Sequence, residues 1–169
     1  MIILYMFNKE SLSIAEDTQE FFYSTLEEAV ESRKILLSPT LLNYLSSVLA
    51  YYSLSQNLCQ EESLHRALLK KYIQSLSAKT PSKNLLLKQV AEESLYTLGF
   101  FTAFFKKKII GLEYYTNLGS NAYKRLSKLE AEEEKKDLFL YCGENFLVFL
   151  ELFRYVSKNC LNFSPFLKK

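Results

Sequence analysis

Apolar residues recur at intervals of three and four along most of this chain, the spacing of one face of an α-helix. The longest series is Leu87, Ala91, Ser94, Leu98, Phe101 and Phe105. Ser38 and Pro39 mark the start of another helix, because serine is a good N-cap and proline suits the first helical position. The core face of that helix would be Leu41, Leu45, Val48 and Tyr52. The pattern predicts an all-α bundle of about six helices.

The chain begins with an apolar stretch from Met1 to Phe7 that gives way at once to polar residues. The stretch is too short for the apolar region of a signal peptide and no basic residues precede it, so we expect a short strand or a docked extended arm. Asp17 and Glu20 resemble a capping box, and they predict that the first helix begins there and runs to about Ile35.

Two segments, 95–112 and 138–156, are apolar enough to be compared with membrane spans. Charged residues interrupt both of them, which favours core helices over spans. The second segment is apolar on most sides, and it predicts a central C-terminal helix surrounded by the others. Gly111 and Gly119 bracket a tyrosine-rich turn in this interpretation, and a further helix follows from Ala122 to Glu134.

Composition agrees with a helical core and predicts one domain over residues 1–169. The chain has 13 Phe, 12 Tyr and no Trp, but only 4 Gly and 3 Pro. Its three cysteines form no CxxC pair, which is typical of reduced thiols in a cytoplasmic protein.

Charge is unevenly distributed along the chain. Residues 1–62 contain 3 basic and 9 acidic groups, whereas residues 63–169 contain 18 basic and 10 acidic groups. Such asymmetry indicates either an anionic partner for the second part or attraction between the two parts. The basic residues are interleaved with acids, which favours the second interpretation.

Candidate chemistry is sparse, because His65 is the only histidine and no nucleotide-binding glycine loop is present. Glu62 and His65 form a Glu-x-x-His pattern like those of di-iron bundles, but a second such motif cannot exist. A salt bridge within one helix is the simpler interpretation. No metal or other cofactor is predicted.

The basic run of Lys106, Lys107 and Lys108 offers a candidate anion-binding site near several aromatic residues. No helix-turn-helix or RNA-binding signature accompanies it, so nucleic acid is disfavoured as a partner. A lysine run at the end of an apolar helix is also what the helix dipole favours.

The region around Tyr115 is the best candidate for a binding site. On a helix, Tyr115, Gly119 and Tyr123 share one face, and glycine would let a ligand or a neighbouring helix approach closely. Glu113 and Tyr114 come just before them. A buried Glu113 would need a tyrosine hydroxyl or a basic side chain as partner. The competing interpretation is a packing seam between helices.

The stretch from Gly99 to Tyr123 resembles a motif of an uncharacterised bacterial family of helical proteins. That motif has Gly-Phe-Phe, a basic run, an acidic residue before Tyr-Tyr, then Gly and Ala-Tyr. The matching residues are Gly99-Phe100-Phe101, Lys106-Lys107-Lys108, Glu113-Tyr114-Tyr115, Gly119 and Ala122-Tyr123, with Glu113 in the place of Asp. The earlier Leu37-Ser38-Pro39 and Tyr44-Leu45 are similar too. The resemblance implies a bacterial, cytoplasmic, all-helical protein and no particular chemistry.

These observations favour a non-enzymatic binding or adaptor protein that contacts another protein. Two alternatives stay open. One is a small-molecule pocket or enzyme that uses Glu113, Tyr114 and Tyr115, and the other is a binder of nucleic acid or a membrane surface through the run 106–108. The sequence does not determine the oligomeric state.

Overall fold

The computed structural model describes the backbone of residues 2–54, 61–102 and 111–163, and the side chains of residues 17–54, 66–102 and 111–160. The secondary-structure elements in these ranges are seven α-helices. Their bounds are α1 Ile2–Arg33, α2 Pro39–Ser53, α3 Glu61–Ser77, α4 Ser82–Phe100, α5 Leu112–Leu129, α6 Glu133–Glu144 and α7 Phe146–Phe163. The predicted all-α class is confirmed.

The helices form two compact units, residues 1–57 and residues 58–169. In the first unit α1 and α2 pack against each other, and in the second α4 packs against α3, α5 and α7. The prediction of one domain over residues 1–169 stays a prediction.

The start of α1 differs from the predicted one. The helix begins at Ile2, so the expected N-terminal strand or extended arm is wrong, and Asp17 and Glu20 lie inside the helix. No glycine or proline interrupts the chain from Ile2 to Arg33, so nothing in the backbone stops the helix from extending through the apolar stretch. A capping-box pattern marks a helix start only where the preceding residues cannot be helical.

Lys34 ends α1 in the left-handed conformation, with φ of 55°. Its N–H donates to the carbonyl of Glu31 at 3.1 Å, and the N–H of Ile35 donates to the carbonyl of Val30 at 3.0 Å. This pair of bonds is the Schellman motif, in which the left-handed position usually holds glycine. Lysine can satisfy the same carbonyls, but its Cβ makes the conformation costly.

Replacing Lys34 with glycine is therefore expected to stabilise the protein by about 0.5–1 kcal/mol. Glycine relieves the backbone strain, but its greater conformational entropy in the unfolded chain offsets part of that gain. Chemical denaturation followed by circular dichroism measures the change. Lys34→Ala is the matched control, since alanine removes the charge but keeps Cβ. Equal stability of the two variants would show that the backbone is not strained at this position.

The start of α2 is as predicted. Ser38 is the N-cap, its Oγ accepts a hydrogen bond from the Leu41 N–H at 3.2 Å, and Pro39 occupies the first helical position. The expected core face is buried, and it is widened by two further leucines. The buried apolar residues of α2 are Leu41, Leu42, Leu45, Val48, Leu49 and Tyr52.

The centre of the second unit is α4, and the prediction of a central C-terminal helix is wrong. Nearly every residue of α4 from Val90 to Gly99 is buried, whereas α7 exposes Leu147 by 63% and Val148 by 37%. The serines, threonine and glutamates of α4 make its sequence less apolar than that of α7. Hydrophobicity therefore indicated the wrong helix. The predicted α4 series is buried from Leu87 to Leu98, but Phe101 is 39% exposed and Phe105 lies outside the described residues.

Two further boundaries differ from prediction. Asn145 divides the expected last helix into α6 and α7; its N–H and its Nδ2 both donate to the carbonyl of Tyr141, at 3.0 Å each. The segment from Gly111 to Gly119 is not a turn: Gly111 is the N-cap of α5, and Gly119 lies inside that helix. A single glycine at a helix crossing is tolerated because tertiary packing outweighs its low helix propensity.

Glycines mark the close crossings in the second unit. An added Cβ would lie 2.5 Å from the Phe153 Cβ at Gly99, and 2.7 Å from the Lys124 Cγ at Gly143. At Gly119 it would lie 2.6 Å from the Phe146 Cζ and 2.8 Å from the Ser94 Cβ. Neighbouring helices occupy the space that a side chain would take.

Many helical hydroxyl groups donate to a carbonyl of their own helix. Examples are Ser46 to Asn43 at 2.9 Å, Ser75 to Tyr72 at 2.5 Å and Thr116 to Leu112 at 2.8 Å. Each of these hydroxyls is buried, and each is satisfied without a partner on another helix. Serine and threonine can therefore occupy the core at low cost.

Within the described residues, no helix is both long enough and apolar enough to cross a bilayer. The prediction that the two apolar segments are core helices agrees with this for their described parts.

Candidate functional site

The predicted face of Tyr115, Gly119 and Tyr123 lies on α5 and is buried. Tyr123 stacks on Phe139 at a centroid distance of 6.3 Å and meets the tilted ring of Phe146 at 6.2 Å. The ring of Phe146 also fills the space beside Gly119. The three predicted residues are thus brought together, and protein side chains occupy their surroundings as in a packing seam.

Glu113 and Tyr114 are not part of this buried face. Both lie exposed in the first turn of α5, so the hypothesis of a buried Glu113 carboxylate held by tyrosines or a basic side chain is wrong. An acidic residue is favoured at this position without any ligand, because the N-terminal end of a helix carries partial positive charge. Tyr114 contacts Tyr115 edge-on at 5.2 Å, which joins the exposed pair to the buried face.

A buried ion pair between α3 and α4 is the most polar feature of the second unit. The Lys71 Nζ lies 2.5 Å from Oε2 of Glu93, whose side chain is 1% exposed. Oε1 of Glu93 has no hydrogen-bond partner among the described residues, nor have the buried hydroxyls of Ser94 and Thr97 on the same helix. The pair compensates the carboxylate charge, which would otherwise be too costly to bury.

A second polar contact joins α3 to α5. Arg125 Nη1 lies 3.0 Å from the hydroxyl oxygen of Tyr72, and the guanidinium carbon lies 5.7 Å from the Tyr72 ring centroid. Lys71 and Tyr72 are adjacent, so one turn of α3 is tied to both neighbouring helices. The sequence around Lys71, Glu93 and Arg125 does not indicate these contacts. Their pairing depends on the helix crossings.

Burial raises the pKa of one buried thiol and of two tyrosines further above neutral pH. It raises the pKa of Cys142, with a smaller contribution from the negative charge of Glu92. Burial and the nearby Cys160 raise the pKa of Tyr96, and burial and Tyr114 raise that of Tyr115. A protonated buried thiol is a poor nucleophile.

The side chains of the other sequence candidates lie outside the described ranges. The candidate anion-binding residues Lys106, Lys107 and Lys108 all fall in the undescribed segment 103–110, so their grouping as a site stays a prediction. Glu62 and His65 belong to α3 by backbone alone. Among the side chains that the structure describes, no group of three His, Cys, Asp or Glu residues is placed to hold a metal ion. The absence of a cofactor stays a prediction.

The α3 stripe is an exposed row of apolar side chains that the sequence analysis missed. It consists of Leu69, Ile73 and Leu76, which are 40%, 55% and 50% exposed. Their spacing of four and three places them on one face. Leu68 and Leu76 both lie on α3, but Leu68 is buried and Leu76 is not. The helix is apolar on both sides, and only packing distinguishes the two.

A second exposed apolar surface lies where α6 meets α7, and we call it the junction patch. It consists of Leu140, Tyr141, Leu147 and Val148. Tyr141 contacts the buried ring of Phe149 at 6.0 Å, which links the end of α6 to the start of α7. Leu140 and Tyr141 stand in the last turns of α6, and Leu147 and Val148 stand in the first turn of α7. The sequence predicted one continuous helix here.

No family model, curated protein or solved structure matches this chain. The resemblance noted for Gly99 to Tyr123 stays a prediction.

Proposed function

We propose that this protein is a helical binding or adaptor protein that acts through protein–protein contacts, and that it is not an enzyme. The α3 stripe is the observation that carries the proposal. Its three apolar side chains form one row along a helix. Amphipathic helices commonly recognise partner proteins through anchors at this spacing. Contiguous apolar groups on a surface, as opposed to scattered ones, are typical of interaction sites.

The interior supports this proposal over a small-molecule pocket. Phe146 and Ser94 crowd the position beside Gly119, and the carboxylate of Glu113 is exposed away from the buried tyrosines. Burial raises the pKa of the Cys142 thiol, and a protonated thiol is a poor nucleophile. The anion-binding alternative depends on the lysine run 106–108, which lies outside the described residues.

A photo-crosslinking side chain placed at Ile73 is expected to capture a protein in cells that express this chain, because Ile73 is the centre of the stripe. Mass spectrometry of the crosslinked band identifies the partner. The matched control places the same group at Gln74, which is exposed on α3 but lies off the stripe. Crosslinking that is equal at both positions, or that captures nucleic acid or lipid at Ile73, would contradict the proposal.

A further inference from the structure

We propose that the α3 stripe of one chain binds the junction patch of a second copy of the same chain. The inference rests on the proposed function, because it assigns a partner to the surface that carries it. Both surfaces are exposed in the single chain, so they do not bury each other. Contact between two copies would remove the apolar groups of both from water.

The stripe lies in a basic segment. Residues 66–83 contain five basic residues and no acidic one. Arg66 and Lys70 are exposed, and each stands three residues before a member of the stripe, Leu69 or Ile73. Side chains three apart on a helix are neighbours, so positive charge borders the apolar row. A surface of this kind favours an apolar partner with acidic edges.

The junction patch lies in an acidic segment. Residues 130–151 contain seven acidic and two basic residues. Glu144 is exposed four residues after Leu140, and Glu151 stands four residues after Leu147. Glu151 also pairs with Arg154, so Glu144 is the acidic edge that is more available to a partner. The junction patch is therefore an apolar surface with an acidic edge, which matches the basic edge of the α3 stripe.

Charge decides which surfaces meet. Two stripes face to face would bring Arg66 and Lys70 of both copies together, and two junction patches would bring their glutamates together. Like charges across an interface oppose association, and opposite charges set its register. The favoured contact joins unlike surfaces head to tail. Such a contact leaves one stripe and one patch uncovered in every pair, so it extends into a ring or a chain of copies.

Sedimentation velocity of the purified full chain across the micromolar range tests this inference. The wild type is expected to show species larger than the monomer that increase with concentration and decrease with added salt. Ile73→Lys on the stripe and Leu147→Lys on the patch should each weaken association by about thirtyfold or more. Leu36→Lys is the control, since Leu36 is 95% exposed and belongs to neither surface. Circular dichroism checks that all three variants remain folded.

Mixing the two disrupted variants gives the sharpest result. The Ile73→Lys chain keeps its patch and the Leu147→Lys chain keeps its stripe, so the mixture should form one-to-one dimers and nothing larger. Exchanging the charges at the two edges is a separate test. Lys70→Glu and Glu144→Lys should each weaken association by about tenfold, and a chain that carries both substitutions should recover the association.

A monomeric wild type at every concentration would overturn the inference, as would association that both lysine variants retain. Those outcomes leave the proposed function standing if Ile73 still crosslinks to a different protein. The proposed function fails separately if Ile73 captures no protein, whatever the state of association.

Discussion

Replacing Lys71 with methionine is expected to destabilise the protein by about 3 kcal/mol, the low end for loss of one partner of a buried ion pair. The Glu93 carboxylate would stay 1% exposed without the positive charge of Lys71, whose own side chain is 27% exposed. Methionine keeps the length of the lysine side chain, so the loss reports the charge more than the packing. Urea denaturation followed by circular dichroism measures the free energy of unfolding.

Two further variants separate the ion pair from other effects. Lys70→Met removes the adjacent exposed lysine. Measured at a concentration where the chain is monomeric, it should change stability by less than about 0.5 kcal/mol. The double variant Lys71→Met with Glu93→Leu removes both charges and should recover most of the stability, because the cost of an unpaired buried charge disappears. If Lys71→Met is no more destabilising than Lys70→Met, the carboxylate does not depend on the pair.

Replacing Gly99 with alanine is expected to destabilise the protein by about 1–3 kcal/mol, the usual range for overpacking. The new Cβ would lie 2.5 Å from Cβ of Phe153, an atom fixed to its backbone, so α4 and α7 would have to move apart. The higher helix propensity of alanine offsets about 1 kcal/mol of strain at most, so the net effect remains a loss. Thermal and urea unfolding both measure it.

Gly111→Ser is the matched control for Gly99. No atom lies within 4 Å of a Cβ at Gly111, and serine is at least as good an N-cap as glycine. This variant should be as stable as the wild type or slightly more so. A Gly99→Ala protein that matches it in stability would mean that a Cβ at Gly99 does not come as close as 2.5 Å to the Phe153 Cβ.

Local signals predicted those parts of the fold that depend on neighbouring residues alone. Ser38 and Pro39 determine the start of α2 through groups within one turn, so the sequence was sufficient there. Asp17 and Glu20 offered a similar pattern, but their effect depends on whether the residues before them can be helical, and in α1 they are. Spacing likewise placed Tyr115, Gly119 and Tyr123 on one face, and that face is buried. Glu113 is not part of the face, because it lies in the first turn of α5.

The polar interior and the exposed apolar surfaces lay beyond prediction for one reason. Glu93 stands among apolar residues of α4, and nothing nearby in sequence says that Lys71 lies within 2.5 Å of it. Leu68 and Leu76 both suit a core, but only the helix crossings decide that Leu68 is buried and Leu76 is not. The stripe and the junction patch could not be predicted because their exposure is a property of the packed unit.

Hydroxyl groups that donate hydrogen bonds within their own helix have a consequence for the register between packed helices. The hydrogen bond from the Ser75 hydroxyl to the Tyr72 carbonyl lies within one helix, so it would still form if that helix slid past its neighbour. Directional contacts between helices, such as Ser120 to the Gly143 carbonyl at 2.8 Å and Arg125 to the Tyr72 hydroxyl at 3.0 Å, distinguish one register from the next. The close fit of side chains at the glycine crossings also fixes the register of neighbouring helices. The alignment of the helices along their axes in this unit therefore depends on a few small contacts.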